Sequence, residues 1–248
     1  MSEQFYLTLP SNSSYNFFPN NTVAEYVTKL PTSIELTDQW QVALVEILYP
    51  HTFNNIGGEP FTFILDPQAD MPILEAAVRP GYYPDIKSLV TAMNSLIGDK
   101  RKLKLSYNRH TRKVKVDLSK GVKLWLTQPY ASILGFGETT LISESMESSY
   151  AADINIARGN LFVYSDVVEP QILGDVFAPL LRIVQTQGKE GSLITKSFQN
   201  PLYVPVGKRK FDSVEISIRD DTGAKVPFCS GRSICTLHFK RSVSTFLY

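Results

Sequence analysis

Apolar and polar positions along the chain recur mostly with a period of two, the signature of half-buried strands. Phe5 to Leu9 alternates and stops at Pro10, and Val23 to Leu30 stops at Pro31. Trp40 to Tyr49 is the strongest run. Trp40, Val42, Leu44, Glu46 and Leu48 fall on one face, with Ala43, Val45, Ile47 and Tyr49 on the other. A strand apolar on nearly both faces belongs in the middle of a packed sandwich. Phe61 to Leu65 follows a Gly57-Gly58 loop.

The period then changes. Ile86, Leu89, Val90, Met93, Leu96 and Ile97 recur at three and four residues and form one helical stripe. Pro84 suits the first turn, Asp85 the positive end and Gly98 the stop, giving a helix over about 84–97. Leu103 to Tyr107 and Lys113 to Leu118 alternate again, and Asn108 to Thr111 reads as the turn of a hairpin over about 102–118. Ser132 to Gly137 suggests a single helical turn, and the Ser/Thr/Glu-rich stretch Glu138 to Ala152 an exit linker. Residues 72–148 therefore read as a small α+β module inside an all-β chain, with sandwich segments at 1–71 and 149–248.

Beyond the module, strands are expected at Ile154–Ala157, Leu161–Val168, Pro179–Gln187, Leu202–Val206, Ser213–Arg219 and Cys235–Arg241. Turns such as Asp220-Asp221-Thr222-Gly223 separate them. With about ten candidate strands at sandwich-like spacing, one intact insert and long linkers, the expected fold is a single jelly roll rather than a meander barrel.

The 248 residues are 43% hydrophobic and 20% charged, a globular balance able to bury a core without disulfides or metals. A formal net charge of +1 excludes a globally basic nucleic-acid binder. No basic segment leads an apolar block near Met1, and no apolar run approaches membrane-spanning length, so a chain kept in a reducing compartment is expected. The Asn12 and Asn20 glycosylation patterns are then read as chance.

Catalytic chemistry finds little to build on. His51, His110 and His238 lie far apart, with no metal-ligand spacing around them. Cys229 and Cys235 flank Gly231 and read as two half-buried thiols rather than a redox pair. There is no Gly-x-Ser-x-Gly elbow, Gly188 to Ser192 lacks phosphate-loop spacing, and Asp220-Asp221 suits a turn. No enzyme, metal or cofactor is expected.

Two surface features remain. Ten of the 25 basic residues lie between Lys100 and Lys123, opposed there only by Asp117. Lys102, Lys104, Arg112, Lys113 and Lys115 would give the hairpin a cationic face. It serves either an anionic partner or simple solvation that keeps the hairpin from edge-to-edge pairing; the latter is the simpler reading. Tyr107 and Trp125 are thin aromatic support for base stacking. Phe17, Phe18, Leu202, Tyr203, Phe246 and Tyr248 are large side chains in loop or terminal contexts, candidates either for core filling or for subunit contact.

Several stretches in order resemble the penton (minor capsid) proteins of Polinton/Maverick elements and adintoviruses. They are Phe5 to Ser14, Asn21 to Tyr26 and Trp40 to Ile47 with Tyr49-Pro50 near the start. Gly81 to Pro84 through Ile133 to Phe136, Asp153 to Ile156 and Leu161 to Asp166 follow in the middle. Phe211 to Gly223, Val226 to Phe228 and Thr236 to Arg241 resemble the closing strands. The resemblance implies a single jelly roll assembling as a homopentamer at the vertices of an icosahedral virion, beside double-jelly-roll major capsid proteins, made inside the host cell. It carries no catalytic residues. Some related pentons bear an Arg-Gly-Asp integrin motif, which this chain lacks. The alternative is a jelly-roll attachment protein that binds a glycan.

Overall fold

The computed structural model describes residues 3–56, 61–65, 74–97, 102–156 and 159–242. Its strands in chain order are β1 (Gln4–Pro10), β2 (Glu25–Glu35), β3 (Trp40–Pro50), β4 (Phe61–Leu65), β5 (Leu74–Val78), β6 (Leu103–Asn108), β7 (Lys113–Leu118), β8 (Leu124–Trp125) and β9 (Leu141–Ile142). They continue as β10 (Met146–Glu147), β11 (Asn160–Ser165), β12 (Gln171–Leu173), β13 (Val176–Ala178), β14 (Leu180–Gln185), β15 (Leu193–Ser197), β16 (Val204–Pro205), β17 (Lys210–Arg219) and β18 (Ile234–Arg241). The helices are α1 (Ile86–Leu96) and α2 (Gln128–Ile133). Two compact units result: Met1–Phe53 with Ala157–Tyr248, and Asn54–Ile156.

The first unit is a jelly roll. One sheet has the order β1-β18-β3-β15, with β16 continuing along β3, and the other β14-β11-β17-β2. The pairing is nested: β1 with β18, β2 with β17, β3 with β15 and β16, and β11 with β14, all antiparallel. A long hairpin rolled up on itself gives this order, and its two sheets close over one core. Leu9, Val42, Leu44, Ile47, Leu161, Val163, Val214, Ile216, Leu237 and Phe239 fill it. The buried Tyr26 hydroxyl on β2 donates to the Leu9 carbonyl on β1 at 3.0 Å, which ties one sheet to the other.

The faces of β3 differ from simple alternation. Val42 and Leu44 point into the core, but so do Ile47 and Tyr49. The register explains this: Leu237 lies opposite Leu44 while Thr236 lies opposite Glu46, so Val45 is an extra residue. A β-bulge inserts one residue and reverses the phase of everything beyond it. The Val45 carbonyl accepts from the Phe198 backbone N–H at 2.8 Å.

Strand β2 runs through Pro31 to Glu35 instead of stopping before the proline. It is an edge strand, and its pairing with β17 skips from Lys29 opposite Ser213 to Ile34 opposite Phe211. Pro31 sits in that irregular stretch, where no ladder N–H is required. Ile154 to Ile156 form a turn rather than a strand, and Ile154 is buried in the core of the second unit. In the jelly-roll unit, the edge strand β15 and the hairpin β12–β13 had no counterpart in the sequence reading, and in the second unit neither did β5, β8, β9 and β10.

The second unit spans Asn54–Ile156, wider than 72–148 at both ends. Hydrophobic burial sets these bounds, because Ile56, Ala152 and Ile154 pack into this unit's own core. The Asn55 side chain also bonds the Tyr83 backbone in both directions, at 2.7 and 2.8 Å. The unit holds two small sheets, β10-β7-β6 and β5-β4-β8-β9. Helix α1 starts at Ile86, capped by the Asp85 carboxylate, which accepts from the Ser88 N–H at 2.7 Å. Ile86, Leu89, Val90 and Met93 form its buried stripe; Leu96 is exposed, and Gly98 lies outside the described residues. The expected linker 138–152 contains β9 and β10. It is stitched in by Ser148 N–H to the Val114 carbonyl and Ala152 N–H to the Arg112 carbonyl, both 2.8 Å.

Candidate functional site

The cationic hairpin is built as the alternation requires. Leu103, Leu105, Val114 and Val116 are buried, so Lys104, Ser106 and Asn108 share the opposite face with Lys113, Lys115 and Asp117. Lys102 precedes β6 by one residue in the same phase, and its carbonyl accepts from the Ser119 N–H at 2.8 Å. Arg112 is exposed at the turn with φ 59, beside an Asn108 side chain that accepts from the His110 N–H at 2.9 Å.

This face is a charge mosaic. Lys104 lies across from Asp117, and the Lys115 ammonium sits 2.6 Å from the Asp117 carboxylate. Strand β10 adds Glu147 directly across from Lys115. The sequence showed only Asp117, because Glu147 arrives from 32 positions further on by folding. An exposed pair of this kind contributes little to stability.

The hairpin is fastened from behind by one side chain. Asn94 on α1 donates to the Leu105 carbonyl at 2.8 Å and accepts from the Leu105 N–H at 3.0 Å. Strand β6 is a sheet edge, and the amide supplies what a neighbouring strand would.

On the jelly roll, Phe17 is exposed and Phe18 half-buried in the β1–β2 connection. Leu202 is exposed and Tyr203 half-buried in the β15–β16 connection. Phe246 and Tyr248 lie outside the described residues. Tyr203 is anchored: its hydroxyl donates to Nδ1 of His238 at 2.7 Å, and the Lys240 ammonium lies 3.5 Å from its ring centre. His238 Nε2 donates to the Gln4 side-chain oxygen at 3.2 Å, while Tyr6 stacks on its ring. Burial, then the Lys240 charge, holds His238 below the ordinary histidine range. The neutral ring fits that pattern of one acceptor and one donor nitrogen.

Among the described residues no group of three or more His, Cys, Asp or Glu side chains could hold a metal ion. His51 stacks on Phe53, and His110 sits exposed in the hairpin turn. Cys229 is exposed rather than half-buried, and Cys235 is fully buried, its thiol pushed up to about 12 by burial. The buried Asp220 carboxylate accepts from the N–H groups of Thr222 and Ala224 at 2.9 and 3.1 Å, closing its own turn.

Sequence reasoning missed the β12–β13 hairpin, which carries Ile172, Val176 and Phe177 exposed. Its signal was present: Gly174-Asp175 between two short apolar runs is a two-residue hairpin turn. No helix of the described residues is long and apolar enough to cross a membrane.

No protein-family model matches the sequence, and a search of curated proteins finds no match. Solved structures are similar in fold. The selenomethionine-labelled mavirus penton protein aligns with a TM-score of 0.53 at 13% identity, covering 96% of this chain and 99% of that one. A chain of the Sputnik virophage, solved by cryo-EM at 3.5 Å, aligns at a TM-score of 0.48 and 11% identity, over 97% and 98%. The chain has an all-β single jelly-roll fold with an inserted α+β unit, and it shares its fold with the mavirus penton protein over nearly the whole of both chains.

Proposed function

We propose that this chain is a structural capsid protein, a penton that closes the fivefold vertices of an icosahedral virion as a homopentamer. The observation that carries this is the fold likeness to the mavirus penton protein over 96% of this chain and 99% of that chain, which spans the inserted unit as well as the jelly roll. Its partners in this reading are four further copies of itself and a double-jelly-roll major capsid protein. Its place is the capsid vertex, reached by assembly inside the host cell. The reading needs no chemistry from the side chains. A ring of five needs heterologous contacts, in which one patch of a subunit meets a different patch of the next. The mixed-charge face of β6–β7 lies outside those contacts in this scheme and stays free for solvent or an anionic partner.

Native mass spectrometry of the purified chain tests the reading. The expected species is five times the 27.8 kDa chain. A clean trimer, even with the major capsid protein present, would overturn it in favour of a glycan-binding attachment head.

A further inference from the structure

On the outer face of the sheet β1-β18-β3, one histidine joins two separate segments to the strand that carries it. Tyr6 on β1 and Ala43 on β3 lie directly across from His238 in register. The small Ala43 side chain leaves room for Tyr203, which arrives from the β15–β16 connection. The Tyr203 and His238 rings meet edge to face, with centres 5.8 Å apart. Tyr6 covers the histidine from its other side, nearly parallel at 4.3 Å. His238 is left only 7% exposed.

The two ring nitrogens have different tasks. Nδ1 accepts from the Tyr203 hydroxyl at 2.7 Å, and Nε2 donates to the Gln4 side-chain oxygen at 3.2 Å. Only a neutral imidazole supplies one acceptor and one donor. On protonation both nitrogens donate, and the Tyr203 hydroxyl loses its acceptor.

Charge acts in the same direction. Lys240 stands two residues along β18 on the same face, its ammonium 3.5 Å from the Tyr203 ring centre. A protonated His238 would be a second cation under the same tyrosine. Across the sheet, β3 places Gln41 opposite Lys240 and Glu46 opposite Thr236. The Glu46 carboxylate accepts from the Ser197 hydroxyl at 2.7 Å. The titratable groups in contact with this cluster are thus Tyr6, Tyr203 and Lys240, and no carboxylate is among them. A half-dry site beside a like charge disfavours the charged form of a histidine.

The segment that carries Tyr203 is held at its two ends. The Asn200 carbonyl accepts from the Arg182 guanidinium at 3.2 Å, and Val204 pairs with Val42 on β3. Between these anchors lie Pro201, the exposed Leu202 and Tyr203. The Tyr203 side chain pins the middle of this stretch to the sheet.

We propose that His238 is the trigger of an acid-sensitive latch: the neutral ring holds residues 201–203 against the sheet through Tyr203, and protonation releases them. The latch goes beyond the penton reading and does not depend on it. His238 is held below the ordinary histidine range by burial and then by Lys240. The closed latch is therefore complete above the ordinary value of about 6.5 and is lost as pH falls through the lower folded value. One proton is taken up, so opening rises by at most about tenfold per pH unit.

Hydroxyl-radical footprinting of the full chain over a pH series, read by peptide mass spectrometry, tests this. Labelling of Tyr203 should rise by about twofold or more as pH falls below about 6.5. Tyr164 on β11 and the exposed Tyr15 are references that should stay level. His238→Gln keeps a donor and an acceptor but takes up no proton, so its Tyr203 labelling should be the same at every pH, whatever its level. Lys240→Gln removes the neighbouring charge and should move the midpoint to higher pH. A flat Tyr203 profile in the parent, or an unchanged acid response in His238→Gln, overturns the latch. A rise shared by Tyr164 marks general acid unfolding and overturns it too. A midpoint that stays or falls in Lys240→Gln overturns the part assigned to Lys240.

Discussion

Replacing Asn94 by alanine should loosen the cationic hairpin without touching the jelly roll. The side chain makes two hydrogen bonds to one residue, Leu105, whose own side chain is fully buried. Removing the amide leaves an N–H and a C=O at a sheet edge with no replacement from the chain. Each such group costs about 1–3 kcal/mol when buried and unpaired. Partial access of water to the edge reduces this, so the expected total is about 2–4 kcal/mol. At about 1.4 kcal/mol per decade, the amides of β6 and β7 should exchange their hydrogens about 30-fold to nearly 1,000-fold faster. Mass-spectrometric hydrogen exchange reads this directly, with peptides from β11 and β17 as an internal reference that should not move. Asn94→Asp keeps an acceptor for the Leu105 N–H but sets an oxygen against its carbonyl, so it should fall no better than midway. Acceleration below threefold in Asn94→Ala would refute the view that this amide acts as the missing strand.

Three further outcomes are expected. The Cys235 thiol is held up to about 12, against an ordinary value near 9, so its contribution to stability is complete below about pH 9. It is then lost as pH rises toward 12, by up to about 4 kcal/mol, because only the unfolded thiol ionises in that window. Cys235→Val should flatten that part of the alkaline unfolding curve, and an unchanged curve would count against the assignment. Gly135 has φ 84, and an added Cβ would lie 2.3 Å from the Tyr150 carbonyl oxygen. Gly135→Ala should therefore destabilise the inserted unit by at least about 2 kcal/mol, seen as faster exchange in peptides 128–152 but not in jelly-roll peptides. Neutralising Lys102, Lys104, Lys113 and Lys115 together to glutamine should leave the solution mass of the assembled chain unchanged; loss of assembly would show that this face lies within a subunit contact.

How much of this was legible in the sequence depended on whether local pattern or distant pairing set the feature. The stripe Ile86, Leu89, Val90, Met93 and the alternation of Lys104 with Leu103 and Leu105 are local, and they stand in the structure as the pattern implied. The faces of β3 were not legible past Val45, because the bulge is defined by where Leu237 and Thr236 fall on the neighbouring strand. Strand β15 has too little apolar content to declare itself, since as an edge strand with three of its five positions exposed it needs little. Glu147 entered the cationic face, and Asn94, Asn55 and Asn21 closed backbone edges, through contacts no periodicity encodes. The β12–β13 hairpin is a different case: Gly174-Asp175 announced a hairpin, but only accessibility showed that Ile172 and Phe177 face outward.

Central to this account is that five copies of the chain form one closed ring at a capsid vertex. Electron cryo-microscopy of the assembled chain tests it most directly, by the rotational symmetry of end-on class averages. The account predicts fivefold averages, which then fit the vertices of shells formed with a double-jelly-roll major capsid protein. Averages with threefold symmetry, or shells whose vertices stay open when this chain is added, would contradict it.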